Sequence, residues 1–179
     1  MIKKILIGMV IIVVILVIII ALQSSTYHVE RSATISAPAS VVFAQVNDFH
    51  KWNAWSPWAK IDPAMKTTFE GAPAGNGAVY SWTGNKDVGE GRMTITDSHP
   101  SDSIKINLEF IRPFAGTSTT VFNFKPDGNQ TVVTWSMTGD KNFIAKAFQL
   151  VVSMDKMIGG DFEKGLAQMK AVAEAAPKL

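Results

Sequence analysis

The chain has 179 residues, no Cys, 47% hydrophobic residues and a formal net charge of +2, which leaves room for one domain and excludes disulfides, thiolate metal sites and thiol catalysis. Of the 17 Lys and Arg, two are Lys3 and Lys4, so the remainder carries 15 basic against 15 acidic residues. That balance gives no support to nucleic-acid binding, which needs a concentrated basic face.

Ile5 to Leu22 is an apolar run interrupted only by Gly8. As a helix it spans about 27 Å, just enough for a bilayer core. The sequence therefore predicts a tip over residues 1–4, a transmembrane anchor over 5–22 and a short polar tether over 23–26. A cleaved signal peptide is the alternative, but its apolar core is usually shorter, and Ala21-Leu22-Gln23-Ser24-Ser25 offers no small-x-small cleavage site. Lys3 and Lys4, with no further basic residue until Arg31, predict a cytoplasmic N-terminus and a domain on the extracytoplasmic, periplasmic side.

Residues 27–176 form the predicted domain, with 177–179 as a tail. Tyr27 to Ser36 alternates in the manner of a strand, and Pro38 suits the start of a helix over Val41 to Val46. Trp52, Trp55 and Trp58 then fall three apart, close to one face of a helix or tight turn. They are read as a cap on the core, as a rim around a ligand cavity, or as a contact with the bilayer interface. Turn signals divide the next stretch into strands over Ala78 to Thr83, Val88 to Ser98, Ser103 to Arg112, Thr117 to Lys125 and Thr131 to Thr138, an antiparallel meander. Gly89 and Gly91 read as a bulge that lets the sheet curl. Asn142 to Ala176 reads as helix with an apolar stripe through Ile144, Phe148, Val151, Ile158, Phe162, Leu166, Met169 and Ala173. Its length would exceed the domain, so a break is predicted at Gly159-Gly160.

The order of strand, short helices, antiparallel strands and C-terminal helix resembles the helix-grip fold of the START-like (SRPBCC) superfamily, in particular its bacterial polyketide cyclase/dehydrase and lipid transport group. The resembling strings are Tyr27-His28-Val29-Glu30-Arg31-Ser32, Pro38, Trp52 to Trp58 with Trp55-Ser56-Pro57-Trp58, Gly89-Glu90-Gly91, Trp135-Ser136-Met137 and Asp161-Phe162-Glu163-Lys164-Gly165-Leu166. The fold class is thus α+β, a curved antiparallel sheet around a long helix behind one transmembrane helix. The resemblance implies a cavity between sheet and helix for an apolar or amphipathic molecule, and it carries over no catalytic residue.

Alternation nominates Tyr80, Trp82, Met93, Ile95, Phe110, Phe122 and Trp135 for the sheet side of such a cavity, with Trp52, Trp55 and Trp58 at its rim. Phe162, Leu166 and Met169 face them from the helix, across what is predicted to be a hollow; the alternative is a fully packed core. Glu90 and Arg92 share one strand face, and read either as a buried pair that orients a ligand's polar end or as members of an exposed cross-strand salt bridge. His28, His50 and His99 are too dispersed for a metal site, and no cofactor or catalytic group is nominated. The leading expectation is a membrane-anchored binding module for a hydrophobic small molecule or lipid. A cyclase- or hydrolase-like enzyme would need Glu90, Arg92 or His50 inside the cavity. A non-catalytic partner-binding protein would have a filled core instead.

Overall fold

The structure is a computed structural model that describes residues 2–176, so Met1 of the predicted tip and the tail 177–179 lie outside it. Helix α1 (Ile2–Leu22) exposes its apolar side chains, with Ile20 as its buried residue, and is long and apolar enough to cross a membrane. Three residues later β1 (Thr26–Ile35) begins, followed by α2 (Ala39–Asn47) and two 3-10 turns, Phe49–Ala54 and Pro57–Lys60. Strands β2 (Lys66–Gly71), β3 (Ala78–Thr83), β4 (Glu90–His99), β5 (Ser103–Arg112), β6 (Gly116–Asp127) and β7 (Gln130–Asp140) come next, then helices α3 (Phe143–Phe148) and α4 (Met154–Glu174). The seven strands make one antiparallel sheet in the order β1-β7-β6-β5-β4-β3-β2. Its α+β architecture, with α4 held against one face, is the helix-grip fold.

The strands form because apolar residues recur every second position. In β7, Thr131, Val133, Trp135, Met137 and Gly139 are buried while the residues between them are not. The same phase puts Ser118, Thr120, Phe122 and Phe124 of β6 on the inner face. β2 lies outside the predicted strands, because Lys66-Thr67-Thr68-Phe69-Glu70-Gly71 is an almost wholly exposed edge with little apolar alternation. The expected bulge is present: the β4–β5 register shifts between Glu90 and Gly91, and Gly89 has a φ of 66° that favours glycine.

The C-terminal helical segment differs from expectation in where it breaks. α4 runs unbroken through Gly159 and Gly160. The interruption falls over residues 149–153, where β-branched Val151 and Val152 precede Ser153, whose hydroxyl accepts from the Lys156 N–H and caps α4. Gly159 and Gly165 serve packing instead. A Cβ at Gly159 would fall on the Arg31 guanidinium, and one at Gly165 would lie 2.8 Å from the Trp135 ring. The stripe also divides at the break. Phe162, Leu166, Met169 and Ala173 are buried, whereas Ile144, Phe148 and Val151 are exposed.

Arg31, projecting from β1 beneath Gly159, fastens the start of α4. It donates from Nη1 and Nη2 to the two carboxylate oxygens of Asp155 at 2.7 and 3.1 Å, and from Nε to Glu163 at 2.7 Å. Near the other end of α4, the backbone N–H of Ser36 donates to Glu174 at 2.7 Å. Hydrogen bonds from Arg31 hold the Asp155 carboxyl below its ordinary value, and the Ser36 N–H, helped by Lys170, does the same for Glu174. A carboxyl whose folded pKa is lowered contributes stability that is complete above its unfolded pKa, roughly 4, and is lost as pH falls through the folded value. The thermal midpoint of the detergent-solubilised chain is therefore expected to fall as pH drops below about 4. Asp155→Asn combined with Glu174→Gln should flatten that acid limb. An unchanged limb in the double variant would mean that these contacts do not tie α4 down.

Candidate functional site: the inner face of the sheet

Between the sheet and α4 the aromatic side chains are packed against one another. Trp135 and Phe162 stack with centroids 4.0 Å apart and planes 8° apart. Phe122 stacks on Trp135 at 4.9 Å, and Trp55 and Trp58 meet Trp135 edge-on at 5.8 and 5.9 Å. Ile95, Phe122, Leu166 and Met169 are buried, as are Tyr80 and Met93. The hollow predicted opposite Phe162, Leu166 and Met169 is thus closed by side chains, because two large rings meet face to face where the alternation only placed them on facing surfaces. Trp135 Nε1 has no acceptor among the described residues, so this indole is held by stacking.

The tryptophan triplet belongs to the same core. The two 3-10 turns direct Trp52 and Trp55 inward, where their indole N–H groups donate to the carbonyls of Val46 and Gln45 at 3.0 Å each. Trp58 is half-buried and meets Phe162 edge-on. Burial of Trp52 and Trp55 overturns the bilayer-contact reading of this segment.

One part of the inner face is not covered. The aromatic row continues from buried Tyr80 to half-buried Trp82, which lies over Gly91 and donates its indole N–H to the Val88 carbonyl at 3.0 Å. Phe110 meets Trp82 edge-on at 6.3 Å and is 37% exposed, with Leu108 half-buried on the same strand face. Pairing of Thr26 with Asp140, Phe110 with Gly116 and Glu90 with Arg112 places these open residues at the end of the sheet where α1 enters. Beside them the inner face turns polar. Ser118 and Thr120 are buried, and the Tyr27 hydroxyl hydrogen-bonds Ser118 at 2.7 Å. Burial pushes the Tyr27 and Tyr80 phenols above their ordinary pKa, more than Ser118 pulls Tyr27 down. Both remain neutral hydrogen-bonding groups. Two recesses open at this end, one of about 340 Å³ at Ser118 and Gly139 and one of about 250 Å³ between Lys86 and Arg112.

The polar groups nominated from the sequence lie elsewhere. Glu90 and Arg92 are on the outer face of β4, since Gly91, Met93 and Ile95 take the inner positions. The bulge sets Glu90 opposite Arg112, with which it forms an ion pair, while Arg92 is exposed opposite Glu109. His50 is exposed, hydrogen-bonded to Asp48 and stacked on Phe69 at 4.1 Å. The enzyme reading therefore loses the three groups it required inside. Sequence reasoning missed Ser118, Thr120 and Tyr27 as inner-face polar groups. Ser118 and Thr120 keep phase with Phe122 and Phe124, so the signal was there, but an apolarity criterion passes over hydroxyls. No cluster of three metal-ligating side chains occurs among the described residues.

Residues 26–174 match the family described as polyketide cyclase/dehydrase and lipid transport. The chain belongs to that family. Solved structures agree on the fold of this family member. A protein of Mesorhizobium loti shares 14% identity at a TM-score of 0.60, over 85% of this chain and 100% of its own. Aha1 of Colwellia psychrerythraea, solved as a dimer, shares 12% identity at 0.61, over 85% and 99%. Ara h 8.0201 shares 12% identity at 0.56, over 84% and 99%. No curated protein sequence matches. Family and fold together make this a hydrophobic ligand-binding or cyclase-like module.

Proposed function

We propose that the protein is a membrane-anchored binding module that takes an apolar or amphipathic molecule, a lipid in particular, at the anchor end of its inner sheet face. The observation that carries this reading is the open aromatic end of the row, Trp82, Leu108 and Phe110, which leaves the packed core at the end where α1 enters. Tyr27, Ser118 and Thr120 supply hydroxyls for a polar head beside that apolar surface. The anchor is α1, with Lys3 and Lys4 keeping its N-terminus in the cytoplasm and the domain on the periplasmic side. The family description includes lipid transport, which fits a ligand collected at the bilayer surface.

Phe110 is 37% exposed, so covering the remainder with a ligand is worth ~0.6–1.1 kcal/mol, and Phe110→Ser is expected to weaken retention of an apolar molecule about three- to sixfold. Native mass spectrometry of residues 23–179, purified without detergent and offered a phospholipid, reads this directly. A wild-type fragment that stays at its bare mass with every lipid offered would refute the reading. That result would favour the second one, a partner-binding protein with a filled core, which the Trp135–Phe162 stack supports.

A further inference from the structure

We infer that the anchor end of the domain is a docking plate for the lipid bilayer, built from α3, the segment that follows it and the β5–β6 turn. The inference rests on the reading of α1 as a membrane span. Strand directions gather three connections at this end: residues 84–89, 113–115 and 141–153. They carry the most exposed large apolar side chains of the domain, with Phe114 and Val151 84% exposed, Ile144 77% and Phe148 55%. A surface of this kind facing water is unusual unless something covers it.

The occupant is set by where α1 ends. Only Gln23, Ser24 and Ser25 separate Leu22 from β1, and the backbone N–H of Lys141 donates to the Ser25 carbonyl at 2.7 Å. The segment leading into α3 is therefore hydrogen-bonded to the tether itself, and α3 packs against α1. A helix touching the last turns of a transmembrane span lies in the zone between acyl chains and headgroups. Composition fits that depth. Residues 141–153 hold Phe143, Ile144, Phe148 and Val151 with Lys141 and Lys146 and no acidic residue, as an interfacial segment on an anionic surface requires. This accounts for the apolar stripe leaving the core at the break before α4. It also sets the open row of Trp82 and Phe110 against the membrane, where an acyl chain can enter without crossing water.

The chain contains no Cys, so single probes can be placed in the intact protein. Phe114→Cys, Ile144→Cys and Val151→Cys, with Ala74→Cys at the opposite end of the sheet as reference, are labelled with an environment-sensitive NBD fluorophore. The full chain is then reconstituted in vesicles of phosphatidylcholine and phosphatidylglycerol. Probes at 114, 144 and 151 are expected to emit to the blue of the probe at 74, to be quenched by doxyl-labelled lipids and to resist aqueous iodide. Omitting phosphatidylglycerol should reduce lipid quenching at 144, beside Lys146. If the chain withstands an alkaline wash while all three probes quench with iodide as fully as position 74, the plate does not exist, although ligand retention by residues 23–179 can still stand. Protection from iodide without doxyl quenching would mean that protein, a second copy or another chain, covers the surface, and would overturn the inference. A chain released by the wash would overturn both it and the anchor.

Discussion

Phe162→Ala is expected to destabilise the domain by about 3–5 kcal/mol, the range for removing a buried aromatic side chain from a core that relaxes only in part. Phe162 is 1% exposed, stacks on Trp135 at 4.0 Å and meets Trp58 edge-on at 6.5 Å. Neither tryptophan can easily fill the space. Trp58 and Trp55 meet Trp135 in T-shaped contacts, and Gly165 lies close against both Pro57 and the Trp135 ring. The void should stay dry and accept a small apolar molecule such as benzene. Thermal melts of the detergent-solubilised chain read both effects. The variant's midpoint is expected to fall by several degrees or more and to recover in part with benzene, while the wild-type midpoint does not respond. An equal benzene response in the wild type would show that its interior already holds usable space, contrary to the packed core, and would return the binding site to the middle of the sheet.

This distinction marks how far the sequence reached. Alternation located every strand except β2, together with their inner faces, and the bounds of β3 and β5 could be read directly from turn residues at Gly84-Asn85 and Pro113 to Gly116. It also grouped Trp82, Phe110, Phe122, Trp135 and Phe162 on facing surfaces, and those residues do belong to one aromatic system, in which Tyr80, Phe49 and Trp52 link Trp82 and Phe110 to the other three. Alternation carries no volume, however, and whether facing rings touch or stand apart depends on approach distances that glycines set from outside the pattern. Gly159 and Gly165 bring α4 down onto Arg31 and Trp135, and in the sequence Gly159 reads instead as part of a helix break. Likewise, Glu90 finds Arg112 through a register shift at Gly91, which strand periodicity cannot supply. Ile144, Phe148 and Val151 keep the helical spacing of a buried stripe yet lie outside. Their periodicity reports an apolar surface and is silent on whether protein or lipid covers it.

Gly91→Ala tests the other end of that aromatic system. A Cβ at Gly91 would run into the Trp82 ring and stand 2.6 Å from the Glu109 carbonyl oxygen on the paired strand. The indole is tethered by its N–H to Val88 and flanked by Phe110, so it has little freedom to tilt away. The carbonyl belongs to the β4–β5 ladder and moves only if the register shift beside it changes. Overpacking of this sort costs typically 1–3 kcal/mol, and the backbone clash puts the expected loss at the upper end, about 3 kcal/mol. Because Trp82 forms part of the open site, the substitution should also change function. Lifting its ring off β4 exposes the indole, so Trp82 emission is expected to shift to the red and phospholipid retention by residues 23–179 to drop together with stability. A bystander strand glycine would lower the melting midpoint and leave retention by the folded fraction intact. Loss of retention in fully folded Gly91→Ala protein, measured below its midpoint, ties the ligand to the Trp82–Phe110 end of the sheet; full retention there would remove these residues from the site.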